Sequence, residues 1–320
     1  MDALSQICED LHISKADYIY VNGHGSWHCS VDSSQIIFYL MIEGECVLLL
    51  DDEQQIPLQT GNLVMLSKGK PHHIQSMSDL AKLMPVRDLT GEFAGHCDEP
   101  IMVGSSTQLD CRFLCFQCTV DQDMAKPMLS ALPPAIVIEQ ELQSHVNIWV
   151  DYVLQFLMLE ARTQKPGRDT LINRLTEMIL IECVRYHIEH LSEDSESWLL
   201  AFKDPVLFRV MNAIHANLQK NWSVSELADI AHMSRSIFAE RFSQKIGMPP
   251  LTYISHHRLR VAAYSLRQTS LNCASISEKL GFSSENSFCL AFKKQYGVTP
   301  SHYRKSFYLR YQQAAITHSD

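Results

Sequence analysis

The stretch SVSELADIAHMSRSIFAERF, from Ser223 to Phe242, decides the fold of this chain, because a second stretch repeats its pattern. The repeat is NCASISEKLGFSSENSFCLAF, from Asn272 to Phe292. Each copy has a short apolar run, a turn, and two phenylalanines four residues apart that would share one face of a helix. The residues that then recur in order are Gly247, Pro250 and Tyr253 after the first copy and Gly297, Pro300 and Tyr303 after the second. The repetition predicts two helix-turn-helix units side by side.

Both copies carry signals for the start of a first helix and for the turn after it. Ser223 and Glu226 have the spacing of a capping box, and Asn272 stands at the equivalent place in the second copy. Gly281 suits a left-handed turn, and His232 belongs to one of the few other residue types enriched in that conformation. We therefore expect a short helix, a tight turn and a second helix in each copy.

The second helix of each copy has a size that fits the major groove of DNA, with its first turns against base edges. The candidates for these contacts are Arg235, Ser236, Ala239 and Glu240 in the first copy, and Ser284, Glu285, Asn286, Cys289 and Leu290 in the second. Asn286 can pair with adenine, a glutamate can accept from cytosine, and Arg235 can read guanine or bind phosphate. For each residue the alternative is that it only adjusts the surface charge.

A helix predicted from Leu251 to Arg267 links the two copies. Its apolar residues recur at helical spacing, with arginines on the other faces. It would span roughly 25 Å at about 1.5 Å per residue, enough to hold the two second helices about one DNA turn apart. Arg258, Lys293 and Lys294 are the candidates for phosphate contacts, and a plain bundle helix is the alternative interpretation.

These residues resemble the AraC/XylS family of transcription regulators over about residues 205–305. The matching stretches are Leu227-Ala228, Met233-Ser234-Arg235-Ser236, Phe242, Gly281-Phe282-Ser283-Ser284-Glu285-Asn286-Ser287-Phe288, Ala291-Phe292-Lys293-Lys294 and Gly297-Val298-Thr299-Pro300. The resemblance implies an all-helical DNA-binding domain that inserts both second helices into successive major grooves. It also favours activation through contact with RNA polymerase. Glu240 and Leu290 stand where many members carry arginine, so the operator sequence does not follow from the family.

Charge is unevenly distributed along the chain. Residues 205–320 hold 14 lysines and arginines against 6 aspartates and glutamates, a net charge of +8. Residues 1–204 therefore have a net charge of −17, and the two parts together give the net charge of −9 for the whole chain. A basic C-terminal region attracts phosphate, whereas an acidic region is kept off the DNA. This asymmetry supports DNA binding independently of the repeated motif.

The pattern of residues 1–140 is rich in β-strand signals. The predicted strands are Ile36–Ile42, Cys46–Leu50, a return strand to Leu58, Leu63–Leu66, Arg112–Val120 and Ala135–Ile138. A hairpin is predicted at Glu43-Gly44-Glu45 and a turn at Asp51-Asp52-Glu53. The segment Thr90–Ser106, rich in glycine and polar residues, is predicted as a loop.

This region resembles a cupin, a small antiparallel β-barrel of the kind fused to AraC-type regulators. Gly61, Gly69 and His72 keep the spacing of the second cupin motif, with a serine in place of its proline. Ile37 and Tyr39 stand where the first motif would supply metal-binding histidines. The predicted fold class is α+β and multidomain, with an N-terminal cupin-like antiparallel β-barrel, a helical hairpin, and an all-α double helix-turn-helix domain.

Four segments follow from these patterns: a sensor barrel at 1–140, a helical hairpin at 141–200, a DNA-binding domain at 205–305 and a tail at 306–320. The hairpin is predicted from apolar stripes at Trp149–Leu157 and Leu171–Val184 on either side of Lys165-Pro166-Gly167. Such a hairpin is a candidate dimer surface, and packing on the barrel is the alternative.

The candidate sensing residues in the barrel are His24, His28, Tyr39, His72, Cys97, Cys111, Cys115 and Cys118. The spacing of the histidines does not force a metal site, so we predict neither a metal nor a cofactor. On a strand Cys111 and Cys115 share a face, roughly 13 Å apart and too far for a disulfide, while Cys118 points the other way. A redox switch that pairs one of them with another cysteine is the alternative to plain apolar packing.

The sequence thus predicts a homodimeric, sequence-specific transcription regulator that is not an enzyme. It would bind double-stranded promoter DNA and RNA polymerase under the control of a small molecule or an oxidant. No signal-peptide pattern is present and the longest apolar run, Ile36–Ile42, is too short for a membrane span, so we expect a cytoplasmic protein. Two alternatives stay open: a metal-dependent cupin oxygenase or isomerase with an appended DNA-binding domain, and an architectural DNA-binding protein without a ligand.

Overall fold

The computed structural model describes residues 2–9, 11, 13, 15–50, 54–94, 99–139, 152, 155–156, 159–160 and 165–317. The chain divides into two compact units. The C-terminal unit consists of Met1–Leu11, Gln122–Pro127 and Leu191–Asp320, and the barrel unit consists of His12–Asp121 and Met128–His190. The predicted fold class is confirmed, because strands build the barrel unit and helices build the C-terminal unit.

The barrel unit is a curled, largely antiparallel sheet. Its strands are β1 (Lys15–His24), β2 (His28–Val31), β3 (Ile36–Leu50), β4 (Gln55–Gln59), β5 (Leu63–Leu66), β6 (His72–Gln75), β7 (Val86–Asp88), β8 (Ile101–Gly104), β9 (Cys111–Thr119) and β10 (Ala135–Ile138). They follow the order β7-β2-β6-β3-β9-β1-β8, with β4 and β5 beside β3 and β10 beside β5. The predicted strands at β5, β9 and β10 are confirmed.

The predicted hairpin at residues 43–45 is wrong, because β3 runs through it without turning back. The strand pairs with β5 and β9 through its first part and with β4 and β6 through its last part. A register shift between Met41 and Glu43 marks a bulge, and Gly44 has a φ of 79°. A side chain at Gly44 would collide with the backbone of Asp110, so glycine is required where the strand bends.

The segment predicted as a loop at Thr90–Ser106 is also more ordered than expected. Its last part forms β8, which pairs in parallel with β1, and Thr90–Ala94 forms a 3-10 helix. Ile101 and Val103 are buried while the residues between and after them are exposed, which is the alternation of a strand with one face in a core. Residues 95–98 lie outside the described part of the chain, as does the turn predicted at 51–53.

The core of the barrel unit fills the inner face of the sheet. On β9 it takes Cys111, Phe113 and Cys115, whereas the buried Cys118 lies outside this cluster and near Cys183. The predicted alternation of the three cysteines on β9 is confirmed. The helix that carries Cys183 runs along β1 and β10, and of the hairpin's first predicted helix, Trp149–Leu157, most residues lie outside the described part of the chain.

The α-helices found among the described residues are α1 (Ala3–Glu9), α2 (Gln122–Ala131), α3 (Arg168–His190), α4 (Pro205–Ala216), α5 (Val224–Ala231), α6 (Arg235–Ile246), α7 (Pro250–Gln268), α8 (Cys273–Lys279), α9 (Glu285–Tyr296) and α10 (Pro300–Thr317). The pairs α5–α6 and α8–α9 are the two helix-turn-helix copies, and α7 links them. The last helix continues past residue 305, where the predicted DNA-binding domain ended.

The local signals of the repeat act as predicted. Ser223 and Glu226 cap α5 reciprocally, with nitrogen-to-oxygen distances of 3.2 and 2.9 Å, and Asn272 caps α8. The turns place His232 at φ 54° and Gly281 at φ 71°. These bonds satisfy backbone groups that a helix end would otherwise leave without partners, so the first helix of each copy begins and ends at defined residues.

Each copy is built on its own phenylalanine pair. Phe238 and Phe242 of α6 are fully buried, as are Phe288 and Phe292 of α9. The ring centroids in each pair lie 5.7 Å apart. Because both pairs are buried in the same way, equivalent positions of α6 and α9 present the same face to solvent.

Two segments distant in sequence complete the C-terminal unit. The backbone N–H of Ala3, at the start of α1, donates to the Asn212 side chain on α4 at 2.6 Å. Asp123, in the first turn of α2, forms a 2.5 Å ion pair with the buried guanidinium of Arg267 and a hydrogen bond with the Tyr303 hydroxyl. The unit is therefore assembled from three separate stretches of chain.

Two glycines in left-handed turns provide a matched test of this packing. An added Cβ at Gly281 would lie 1.9 Å from the carbonyl oxygen of Gln219, whereas one at Gly247 would meet nothing within 4 Å. We expect Gly247→Ala to lower the free energy of unfolding by about 1 kcal/mol, from backbone strain alone. Gly281→Ala should lower it by about 2–3 kcal/mol, since the backbone must also move. Urea unfolding of both variants checks this, and equal losses would contradict the close approach at Gly281.

Candidate nucleic-acid interface

The first reading helix, α6, begins at a capped and solvent-exposed end. The Ser234 hydroxyl accepts from the backbone N–H of Ile237. Arg235, Ser236 and Glu240 are exposed and Ala239 is half-buried. The side chains predicted to contact bases thus lie off the face that buries the phenylalanines. An exposed helix start of this kind can enter a groove and present both side chains and free N–H groups.

The second reading helix, α9, repeats this arrangement. Ser284 and Ser287 cap it reciprocally, with nitrogen-to-oxygen distances of 3.1 Å in both directions. The exposed predicted residues on this helix are Glu285, Asn286, Lys293 and Lys294. Carboxylate, amide and ammonium groups therefore share one accessible surface, which suits combined base and phosphate contacts.

The geometry does not support the phosphate contact predicted for Arg258. Its guanidinium, on the linking helix α7, is buried and donates to the backbone carbonyls of Leu218, Lys220 and Gly281 at 2.7–2.9 Å. All three nitrogens are engaged, and burial lowers the pKa of the group from its usual value. Arg258 joins the turn of the second copy to the segment before α5, which is a structural role.

Two further predicted contacts are partly engaged within the protein. The Ser284 hydroxyl accepts the backbone N–H of Ser287 in the helix cap, which holds the side chain against the start of α9. Cys289 is half-buried in the second helical core, and its thiol lies next to that of Cys273. Burial raises the pKa of Cys289, so the thiol is held as a neutral packing group.

Sequence reasoning missed two features of this surface. Ile237 on α6 and Leu290 on α9 are the large apolar side chains left exposed on the reading helices. The sequence pattern places Leu290 among the outward residues. It leaves out Ile237, whose position off the Phe238–Phe242 face was the available signal. The half-buried Arg241 was also missed, and it anchors α6 through a 2.6 Å ion pair with Asp204.

The candidate sensing residues of the barrel unit do not all lie in one place. Tyr39 and His72 meet in the core, with the hydroxyl 2.7 Å from Nε2 of the histidine. The other nitrogen, Nδ1, lies 2.8 Å from the Lys70 carbonyl oxygen. Nδ1–H therefore donates to that carbonyl and Nε2 accepts from Tyr39. His24 and His28 bond elsewhere, to Gln108 and His73, so the candidate histidines do not converge on one point.

These residues do not fit a cupin metal site. Tyr39 occupies the place of a ligand histidine, and both ring nitrogens of His72 are already hydrogen-bonded within the protein. Across the described residues, no three histidine, cysteine or acidic side chains are placed to hold one ion. A catalytic metal needs at least three converging ligands and an open position.

Four cysteines, Cys29, Cys46, Cys111 and Cys115, line the barrel core. Burial raises the pKa of the Cys111 thiol to about 11 and that of Cys29 to about 12. The thiolate is the reactive form of cysteine, so these side chains are poorly nucleophilic near neutral pH. Cys97, a further predicted redox candidate, lies outside the described residues.

Comparisons with known proteins agree with both halves of this description. The family described as Cupin matches residues 2–189, and the one described as Helix-turn-helix domain matches residues 227–306. The HTH-type transcriptional regulator AlkR of Acinetobacter baylyi is 35% identical over 307 residues, 95% of this chain and 99% of its own. A putative AraC-like transcription regulator of Streptomyces lividans is 28% identical over 88% of this chain and 90% of its own. The chain belongs to the AraC family of transcription regulators.

As an AraC-family member, the protein is a transcription regulator with an AraC-type DNA-binding domain. An Escherichia coli relative, 27% identical over 88% of this chain and 87% of its own, is named the RCS-specific HTH-type transcriptional activator RclR. These relatives are named as regulators and not as enzymes. Within the described residues, no helix combines the length and apolarity needed to cross a membrane.

Proposed function

We propose that this AraC-family regulator activates promoters by placing α6 and α9 in successive major grooves. The observation that carries the proposal is the repeated geometry of the two reading helices. Both begin at a serine cap, bury a phenylalanine pair at the same spacing, and leave an exposed polar face. Helices in the major groove read bases through such a face. The basic charge of residues 205–320 supplies the attraction to phosphate.

Arg235, Glu240, Glu285 and Asn286 supply sequence specificity in this proposal, and Lys293 and Lys294 bind phosphate. The relative named as an activator supports activation, and activation implies a contact with RNA polymerase. A homodimer is supported by the exposed Leu171 and Met178, seven residues apart on one side of α3. We place the protein in the cytoplasm, where promoter DNA is found.

Binding of a small molecule in the barrel core suits the structure better, as the signal, than oxidation of the cysteines there. The cysteines that line it are buried with raised pKa values, which protects them from oxidation. The indole N–H of Trp27 is buried and has no hydrogen-bond partner among the residues that the structure describes. A buried donor without an acceptor is costly, and a bound ligand with an oxygen atom would satisfy it. The signal we propose is therefore a mostly apolar molecule with one polar group.

Selection of genomic fragments by the purified full chain tests the regulator function. Footprinting of the best fragments at two salt concentrations, with and without a reductant, gives the readout. Protection of two adjacent major grooves per subunit is the expected result. No preference over random DNA would overturn the proposal, and a change caused by the reductant would favour an oxidant as the signal.

Two variants of α9 separate base reading from phosphate binding. Asn286→Ala should weaken binding to the selected site by roughly fivefold to a hundredfold and relax the preference at one base pair, because a bidentate contact to adenine is lost. Lys293→Ala should weaken binding to all sequences alike and reduce the salt dependence by about one released ion. Fluorescence anisotropy with selected and random duplexes measures both. Equal losses on both duplexes for Asn286→Ala would remove that residue from base recognition.

A further inference from the structure

Leu290 projects from the outer face of the second reading helix. Phe288 and Phe292 are buried on the inner side of α9, and Leu290 lies opposite with 63% of its surface exposed. It stands four residues after Asn286 and one turn before Lys294, so these side chains follow one another along the same side of the helix. The apolar side chain is therefore set between a base-reading candidate and a phosphate-binding candidate.

The equivalent position on the first reading helix carries the opposite chemistry. Glu240 precedes Phe242 by two residues, as Leu290 precedes Phe292, and each is the sixth residue of its helix. Both are exposed. Because the two phenylalanine pairs share the same spacing, Glu240 and Leu290 would meet the DNA at corresponding points of two grooves.

Thymine presents the one apolar group on the major-groove edge of ordinary DNA, its 5-methyl. A carboxylate at this position can accept a hydrogen bond from the amino group of cytosine. A leucine side chain has no hydrogen-bonding group, so it can stabilise the complex only by contacting an apolar group. We infer that Leu290 contacts the 5-methyl group of a thymine in the half-site read by α9. This inference rests on the proposed function, because it requires α9 to lie in the major groove.

The position of that thymine follows from helix geometry. Asn286 and Leu290 are four residues apart, or about 6 Å along the helix axis at about 1.5 Å per residue. Base pairs are spaced by about 3.4 Å, so the thymine should lie about two base pairs from the adenine read by Asn286. The half-site of α6, with Glu240 in this place, carries no requirement for a methyl group there. The two half-sites of each subunit therefore differ in sequence.

Single-atom changes in the DNA test this contact. In the fragment chosen by the full-length protein, each thymine of the protected region is replaced in turn by uracil, which keeps base pairing and lacks only the methyl. We expect one thymine in the α9 half-site whose replacement weakens binding by about threefold to fivefold, the value of one buried methyl group. In Leu290→Ala the same replacement should have no effect, because the partner of the methyl is gone.

Ile237→Ala is the matched control, since Ile237 is a similar exposed aliphatic side chain on the other reading helix. It should leave the uracil effect in the α9 half-site unchanged. A preferred fragment with no uracil-sensitive thymine, or a uracil effect that persists in Leu290→Ala, would overturn the inference alone. A failure to select any fragment would overturn the proposed function and the inference together. Lower transcription by Leu290→Ala with unaltered DNA binding would overturn it in favour of a protein contact.

Discussion

Replacing Arg258 with methionine should lower the free energy of unfolding of the C-terminal unit by about 3–5 kcal/mol. The guanidinium donates to three backbone carbonyls, from Leu218, Lys220 and Gly281. Methionine keeps much of the apolar stem but offers no donor, so these carbonyls lose their partner in a buried setting. Urea unfolding followed by circular dichroism, without DNA, measures the loss.

Arg235→Met is the control for this experiment. It makes the same chemical change on an exposed arginine of α6, and surface substitutions of this kind change stability by about 0.5 kcal/mol or less. Its effect should appear only in DNA binding. If Arg258→Met instead kept full stability and weakened binding to all DNA alike, Arg258 would be a phosphate contact, as its position in the sequence had suggested.

Acidification should destabilise the C-terminal unit through a pair of buried histidines. His215 lies 2.8 Å from the Tyr253 hydroxyl, and its ring centroid is 4.5 Å from that of His257. Burial, with a smaller effect from Arg260, lowers the pKa of His215 from 6.5 to about 4. The pKa of His257 is lowered in the same direction, again mainly by burial. Both rings are therefore neutral in the folded protein near pH 7.

The direction of the pH effect follows from these shifts. In the unfolded chain the His215 ring takes up a proton below pH 6.5, whereas in the folded state it resists protonation until about pH 4. The stability contributed by the neutral His215 is complete above 6.5 and is lost as the pH falls toward 4. For this one group the loss is about 3 kcal/mol over that interval. Hydrogen exchange of peptides from residues 205–296, measured across this pH range, reports it for this unit.

His215→Gln should flatten the pH dependence, because one protonation site is removed. His302→Gln, at an exposed position on α10, should leave it unaltered. The same slope in all three proteins between pH 6.5 and 4 would show that the buried ring is not the group responsible. Since His257 remains, His215→Gln is expected to reduce the slope and not to abolish it.

The parts of the fold that sequence reasoning predicted best are those set by local chemistry. Caps at Ser223 and Asn272 and left-handed turns at His232 and Gly281 depend on residues within a few positions of one another. The hairpin predicted at residues 43–45 was wrong because glycine favours both a reversal and a bulge. Which of them forms depends on the strands that pair on each side, and those come from distant parts of the chain.

The candidate site shows the same limit. Exposed positions of the reading helices followed from the phenylalanine spacing, because period 3.6 fixes which side is buried. Arg258 could not be placed that way, since its partners Leu218 and Gly281 lie 40 and 23 residues away. From the sequence alone, an arginine in a basic region is predicted to bind phosphate. Only the structure shows that its guanidinium already donates to backbone carbonyls. The contacts of Ala3 and Asp123 were equally invisible, because nothing near them in sequence indicates a helical partner.

The assembly of the C-terminal unit from three stretches of chain bears on how regulators of this kind can be recombined. A hybrid made by joining a foreign sensor to this chain at residue 205 would lose α1 and Asp123, which contact Asn212, Arg267 and Tyr303. Arg267 would then lose the carboxylate that pairs with its guanidinium, a group that is buried in the intact chain. Hybrids that also transplant residues 1–11 and 122–127 would retain these contacts. Exchange of the sensor in this chain is thus constrained at four junctions, at 11/12, 121/122, 127/128 and 190/191, and we expect a single crossover to weaken the C-terminal unit.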